Sequence, residues 1–371
     1  MKNTCRNLIM AGAFLLATLV IGLANASANG TGTNTKQVLT KPNPEPPNTR
    51  KPVRVFILMG QSNMIGMGDI GPETNVGTLT YLCKKPGKYP YLLDDAGNWA
   101  VRNDVWCVKT TVRPAQGWLK PGFGASGKTF GPELGFGWVM GQIHDEQVLL
   151  IKASQGNRSL GWDFLPPGSE RFSFDGKTYA GYKDAAPFWP EGTAPPPAKP
   201  NAWYAGKQYD DCVKDVHEVL DHLPNFFPDY RGQGYEVAGF VWWQGQKDQL
   251  RGADANASRY EHNLVNFINV LRKEFSAPHA PFVLATIGFG GWKMEGNTLK
   301  VANAQLAVGD PRKHPEFAGN VKTVDARAFW RGPEVSPNKK QDYHYYHNAE
   351  TYLEVGNALG WAMADLLKAG K

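Results

Sequence analysis

Four separated stretches of this chain hold residues that could carry out acyl transfer. The first is Gly60-Gln61-Ser62-Asn63, where a hydroxyl is flanked by two amides, and the second runs from Ser154 to Ser159 as SQGNRS. The third is Gln244-Gly245-Gln246-Lys247-Asp248, and the fourth runs from Asp342 to His347 as DYHYYH. Ester hydrolysis through a covalent intermediate needs a nucleophile, a base to take its proton, and donors for the oxyanion that forms on the carbonyl. Ser62 can attack, while its own N–H, the N–H of Gly156 and the side-chain NH₂ of Gln244 supply three oxyanion donors. The base must come from His344 or His347, with Asp342 nearby. A Ser-Asn pair after a strand is also ordinary helix N-cap chemistry, so Ser62 gains a catalytic role only in the company of the other three stretches.

Those stretches can meet only if the elements before them bring them to one place. Val53 to Leu58, Val148 to Ala153, Val237 to Trp243, Phe282 to Ile287 and Val321 to Val324 are short, nearly continuous apolar runs of the kind buried parallel strands show. Apolar residues at helical spacing lie between them: around 131–144, 203–223, 257–275 and 299–308, then from an N-cap at Asn348 to about Leu367. This alternation predicts a three-layer α/β/α sandwich with about five parallel strands in a flavodoxin-like sheet. Ser62, Gly156, Gln244 and the histidines all follow strands, so they converge on one sheet edge, where open α/β folds place their ligands. Two irregular insertions interrupt the pattern, near 65–130 and 163–201. The first is read as carrying a small β-hairpin attachment around 91–106.

GQSNM, LLIKASQGNRSL, WWQGQKD and YHYYHNAETYLEVGNALG, in this order, resemble the blocks of the SGNH-hydrolase superfamily, and in particular its sialate O-acetylesterase-like carbohydrate esterase branch. The resemblance runs from about Val53 to Leu367. It implies that Ser62 is the nucleophile, that Gly156 and Gln244 are oxyanion donors, and that the C-terminal block supplies the histidine base. Two departures stand out. Many relatives have Glu where this chain has Gln246, and the family's Asp-x-x-His spacing is missing, because Asp342 lies two residues before His344 and five before His347. His344 is the favoured base, since His347 abuts the N-cap of the last helix. Asp342, Asp248 or no acid at all completes the site. The expected activity is removal of O-acetyl groups from carbohydrate, with Asn157, Arg158 and Trp162 as candidate sugar contacts, and Trp118 or Trp292 as stacking platforms. A base of ordinary histidine pKa would make activity rise through about pH 6.5.

Composition fits this reading and excludes others. With 371 residues, 42% hydrophobic and 20% charged, the chain can bury a sizeable core. Lys2 and Arg6, an apolar run from Leu8 to about Leu23 and small residues up to Ala28 follow the order of a secretory signal peptide, giving a secreted or periplasmic location and no membrane association after cleavage. Cleavage lowers the formal charge of +6 by two, and no basic run remains to bind nucleic acid. Residues 29–52, Thr/Asn-rich and then Pro-rich, read as a flexible linker ahead of one esterase domain from 53 to 371. Cys83, Cys107 and Cys212 remain after cleavage, and a Cys83–Cys107 bridge is plausible in an oxidising compartment. No His/Cys cluster, His-Glu-x-x-His or Gly-Lys-Ser/Thr ending suggests a metal or nucleotide, so no cofactor is expected. Oligomeric state cannot be read from the sequence.

Overall fold

Val53, Val55, Phe56, Ile57 and Leu58 are fully buried, as a strand flanked on both edges and covered on both faces requires. In the computed structural model, which describes residues 38–370, they form β1 (Val53–Gly60), followed by α1 (Ser62–Ile65), β2 (Gly68–Asp69) and α2 (Leu79–Lys84). Next come β3 (Arg102–Lys109), β4 (Ala115–Leu119), β5 (Thr129–Phe130), α3 (Glu133–Ile143) and β6 (Val148–Ser154). An insertion carries β7 (Phe172–Phe174), β8 (Lys177–Tyr179) and β9 (Phe188–Pro190), and leads to α4 (Lys207–Asp221) and α5 (Leu223–Phe226). The chain finishes with β10 (Tyr235–Trp243), α6 (Asp254–Glu274), β11 (Phe282–Ala285), α7 (Gly296–Val308), β12 (Val321–Val324) and α8 (Ala349–Ala369).

The main sheet has the order β12-β11-β10-β1-β6-β3-β4. Its first six strands run parallel, and β4 is antiparallel at the edge. After β6 the chain crosses to the far side of β1 to build β10, β11 and β12, so the order reverses at β1 and the crevice at its C-terminal end is the expected ligand site. Side chains alternate between two helical layers. Trp242 meets Phe267 of α6 with ring centroids 4.5 Å apart, while its neighbour Trp243 meets Tyr352 of α8 at 5.4 Å. Phe56 packs against Phe136 of α3 at 5.3 Å. The expected three-layer sandwich is present.

Four details differ from the sequence reading. The supposed hairpin attachment supplies β3, which pairs in parallel with β6 and gives the main sheet a sixth parallel strand. Its Val105, Trp106, Cys107 and Val108 form a buried run that was hidden among glycines and charges. Cys83 and Cys107 are free thiols, both buried, so no bridge joins them, and Cys212 is free and buried too. The second insertion is not wholly irregular, because β7, β8 and β9 form an antiparallel sheet beside a small core of Leu165, Ala180, Trp189 and Ala205. Of the segment expected to be a linker, residues 39–52 belong to the compact unit from Leu39 onward, and residues 29–37 lie outside the described residues. The Thr40 carbonyl accepts from Trp138 Nε1 at 3.0 Å, and Asn48 pairs with the turn after α3. The expected signal peptide lies outside the described residues.

Candidate active site

Glycines force the turn that carries Ser62. Gly60 has φ 151°, and a Cβ there would lie 2.3 Å from the Trp243 carbonyl oxygen, so only glycine lets the chain leave β1 this close to β10. Gly66 ends α1 at φ 101°, where a Cβ would sit 2.3 Å from the Gly131 nitrogen. Ser62, 7% exposed, is the first residue of α1 between them. Among the described residues neither its N–H nor that of Gly156 meets a backbone acceptor. Gln61 fixes the turn to the loop after β10. Its Oε1 accepts from Gln244 Nε2 at 3.1 Å and from the Lys247 N–H at 3.2 Å, while its Nε2 donates to Gln246 Oε1 at 3.2 Å. Beneath the turn, the buried Lys152 ammonium of β6 donates to the Ile65 carbonyl and pairs with Glu133 of α3, both at 2.6 Å.

The residue after the serine ties in the histidine loop. Asn63 Nδ2 donates to the Tyr343 carbonyl at 3.1 Å, and the Tyr352 hydroxyl of α8 donates to Asn63 Oδ1 at 2.6 Å while lying 3.3 Å from the His344 carbonyl. The loop then bends through three consecutive left-handed residues, Tyr345, Tyr346 and His347, with φ of 50°, 51° and 59°. Non-glycine residues rarely hold this conformation, and strain of this kind gathers at functional sites. It persists because the Gln341 carbonyl takes the N–H groups of both His344 and Tyr346, and Tyr345 is buried with its hydroxyl on the Gly288 N–H.

The two histidines differ in what their nitrogens do. His344 Nδ1 lies 2.9 Å from Gln341 Oε1, and its Nε2 meets no partner among the described residues. His347 has both nitrogens engaged, Nε2 with the same Gln341 oxygen at 2.8 Å and Nδ1 with Asp69 Oδ1 at 3.3 Å. Burial, helped by the neighbouring His347, pushes the His344 pKa down to about 4. Of the two, His344 therefore offers the uncommitted ring nitrogen, kept unprotonated at neutral pH by burial.

Other sequence candidates are placed differently. Asp342 is exposed and its carboxylate accepts from the next residue's N–H, so it does not reach His344; its side chain is directed outward because the loop turns after it. The Gln244 NH₂ is already committed to Gln61 Oε1, the Arg158 carbonyl at 2.8 Å and Asp248 at 2.6 Å, which leaves it no hydrogen for an oxyanion. Asp248, fully buried, also accepts the N–H groups of Leu160 and Gly161 at 2.8 Å each; burial raises its pKa to about 6, and no histidine faces it. Asn157 is exposed with φ 56°, and Arg158 stacks over Trp203 at 4.0 Å. Trp162 packs on the small core of the insertion, and Trp118 packs on Trp106. Trp292 stands 69% exposed with the Arg327 guanidinium 4.6 Å from its ring. Gln61, Asp69 and Gln341 were missed. Gln341 had one signal, its position three residues before His344, whereas Asp69 had none, because a two-residue strand brings it in.

The fold is an α/β/α sandwich with its polar loops gathered at one edge of the sheet. Residues 188–365 match the family model described as carbohydrate esterase, sialic acid-specific acetylesterase. This match bears out the resemblance read from the sequence and, with it, the enzyme class, a carbohydrate O-acetylesterase. The matched region holds the Gln244 loop and both histidines, and Ser62 lies before it. No curated protein matches the chain. Among solved structures, a protein from Arabidopsis thaliana is 19% identical, with 84% of this chain and 98% of that chain covered and a TM-score of 0.48. A carbohydrate acetylesterase from Xanthomonas citri is 13% identical, with 86% and 57% covered and a TM-score of 0.49. NanS is 13% identical, with 87% and 98% covered and a TM-score of 0.44.

Proposed function

We propose that the protein is an exported serine esterase that removes acetyl groups from carbohydrate hydroxyls, with Ser62 as nucleophile and His344 as base. Ser62 Oγ attacks the acetyl carbonyl carbon as His344 Nε2 takes its proton, and the N–H groups of Ser62 and Gly156 hold the oxyanion. Collapse breaks the bond to the sugar oxygen, which leaves with the proton from His344. Water, deprotonated by the same nitrogen, then releases acetate and restores the serine.

The observation that carries this reading is the Asn63 link. The residue beside Ser62 grips the backbone of the loop that carries His344, whose Nε2 is uncommitted. No hydrogen bond joins Ser62 to His344 among the described residues, and in free enzymes such contacts are often long until substrate binds. Export rests on the signal-like order of residues 1–28. Arg158, already anchored on Trp203, and the exposed Asn157 beside Gly156 stand at the same loop and supply sugar contacts.

The test is acetate release from acetylated polysaccharides and acetylated sialic acid, in EDTA, by the mature protein and by Ser62→Ala. Release by the wild type that falls by about 1000-fold or more in the variant is expected for loss of a nucleophile. No release from any substrate, or release untouched by the substitution, would overturn the mechanism and favour a carbohydrate-binding role.

A further inference from the structure

Resting on the Ser62–His344 reading, we infer that Gln341, locked by His347 and Asp69, is the positioning residue that takes the place of the acid this site lacks. A serine esterase base must carry its proton on the ring nitrogen turned away from the serine, and a carboxylate normally ensures this by accepting from that nitrogen. Asp342 and Asp248 are both turned elsewhere. The group at His344 Nδ1 is the Gln341 amide oxygen, at 2.9 Å. An amide oxygen only accepts, so it places the hydrogen on Nδ1 and leaves the Nε2 lone pair for the Ser62 proton.

An amide alone is a poor substitute for a carboxylate. Half a turn about its last bond exchanges the oxygen for NH₂, which would donate to Nδ1 and move the hydrogen to Nε2, the wrong tautomer for a base. His347 removes that freedom. Its Nε2 lies 2.8 Å from the same amide oxygen, and its Nδ1 faces the Asp69 carboxylate at 3.3 Å. A hydrogen on His347 Nε2 fixes the Gln341 oxygen, and Asp69 holds the ring from its Nδ1 side. The carboxylate of the arrangement is thus Asp69, at the end of a path Asp69–His347–Gln341–His344. Asp69 comes from β2, while Gln341 and both histidines share the loop before α8.

The groups facing the two rings are few. His347 is faced by Asp69 of β2 and by His344, whose rings lie 6.1 Å apart. His344 is faced by the Tyr343 ring at 4.5 Å, and its carbonyl by the Tyr352 hydroxyl of α8. No carboxylate contacts His344 among the described residues, so a carboxylate introduced at position 341 has a readable effect on its proton affinity.

The experiment measures kcat and KM for acetate release across pH in the full mature chain, for the wild type, Ser62→Ala, Gln341→Leu, Gln341→Glu, Asp69→Asn and the double variant Asp69→Asn/Gln341→Glu. Gln341→Leu is expected to lower kcat by about 100-fold or more with little change in KM, since the base loses its tautomer. Gln341→Glu is close in shape, keeps the site folded and moves the acid limb of kcat/KM upward, because a carboxylate favours the charged ring. Asp69→Asn is expected to lower kcat by about tenfold, and the added Gln341→Glu to rescue it, because a carboxylate needs no lock. An acid limb unmoved in Gln341→Glu, or kcat retained in a folded Gln341→Leu, overturns the inference while leaving the serine mechanism in place. Release that persists in Ser62→Ala overturns both.

Discussion

A histidine proposed as base with no carboxylate against it has to be read through its surroundings. Its proton affinity follows burial, and the pKa of His344 is pushed down to about 4, first by desolvation and then by His347. The sign follows directly. The ring is neutral above that value, so kcat/KM is expected to rise through about pH 4 and to stay flat from about pH 5 to 8, in place of the rise near 6.5 expected of an unburied ring. A pH-rate profile with its acid limb near 6.5 would contradict this. The same shift destabilises the fold in acid: between about 6.5 and 4 the unfolded chain binds a proton that the native ring refuses. The placement of Ser62 and Gly156 at strand ends was legible because each follows a strongly apolar strand. The partners of His344 were not, because an orienting group was sought only among carboxylates and the loop that brings Gln341 Oε1 to two rings depends on left-handed backbone at tyrosines and a histidine.

The elements explain why Ser62 can sit on a turn so tightly drawn. Gly60 and Gly66 allow the backbone to pass against β10 and the start of α3, and Lys152 then anchors the turn from below. Lys152 and Glu133 are 0% and 1% exposed, and the ammonium has three acceptors: Glu133, the Ile65 carbonyl and the Phe123 carbonyl. Removing one member of such a pair leaves the other charge buried. Lys152→Met is expected to cost about 3–5 kcal/mol in urea unfolding, and adding Glu133→Leu to recover much of that loss. Equal stability of the single and double variants would contradict it. The strands were readable from apolar runs, and the long helices from their spacing, with Asn348 capping α8 as expected through the Thr351 N–H. β3 escaped because it lies inside a stretch rich in turn residues, and pairing with β6, not local pattern, decides its place.

Across the whole molecule, the order of the sheet does most of the positioning. The order in which the strands are laid down reverses beside β1 while their direction stays the same, so loops from distant parts of the sequence meet above one central strand. The loops after β6 and β10 are pinned together at Asp248, and the histidine loop is pinned to α1 at Asn63. The convergence on one edge was legible from the alternation of elements. The Gln244 role was not, because an amide that can donate to an oxyanion and one that staples two loops look the same in a sequence. The most direct measurement of the nucleophile is labelling of the mature protein by a fluorophosphonate, followed by peptide mass analysis. One label per chain on Ser62, prevented by prior incubation with an acetylated sugar substrate and much slowed in His344→Ala, is the expected result. No label, or a label on another residue with Ser62 unmodified, would contradict a serine esterase built on this turn.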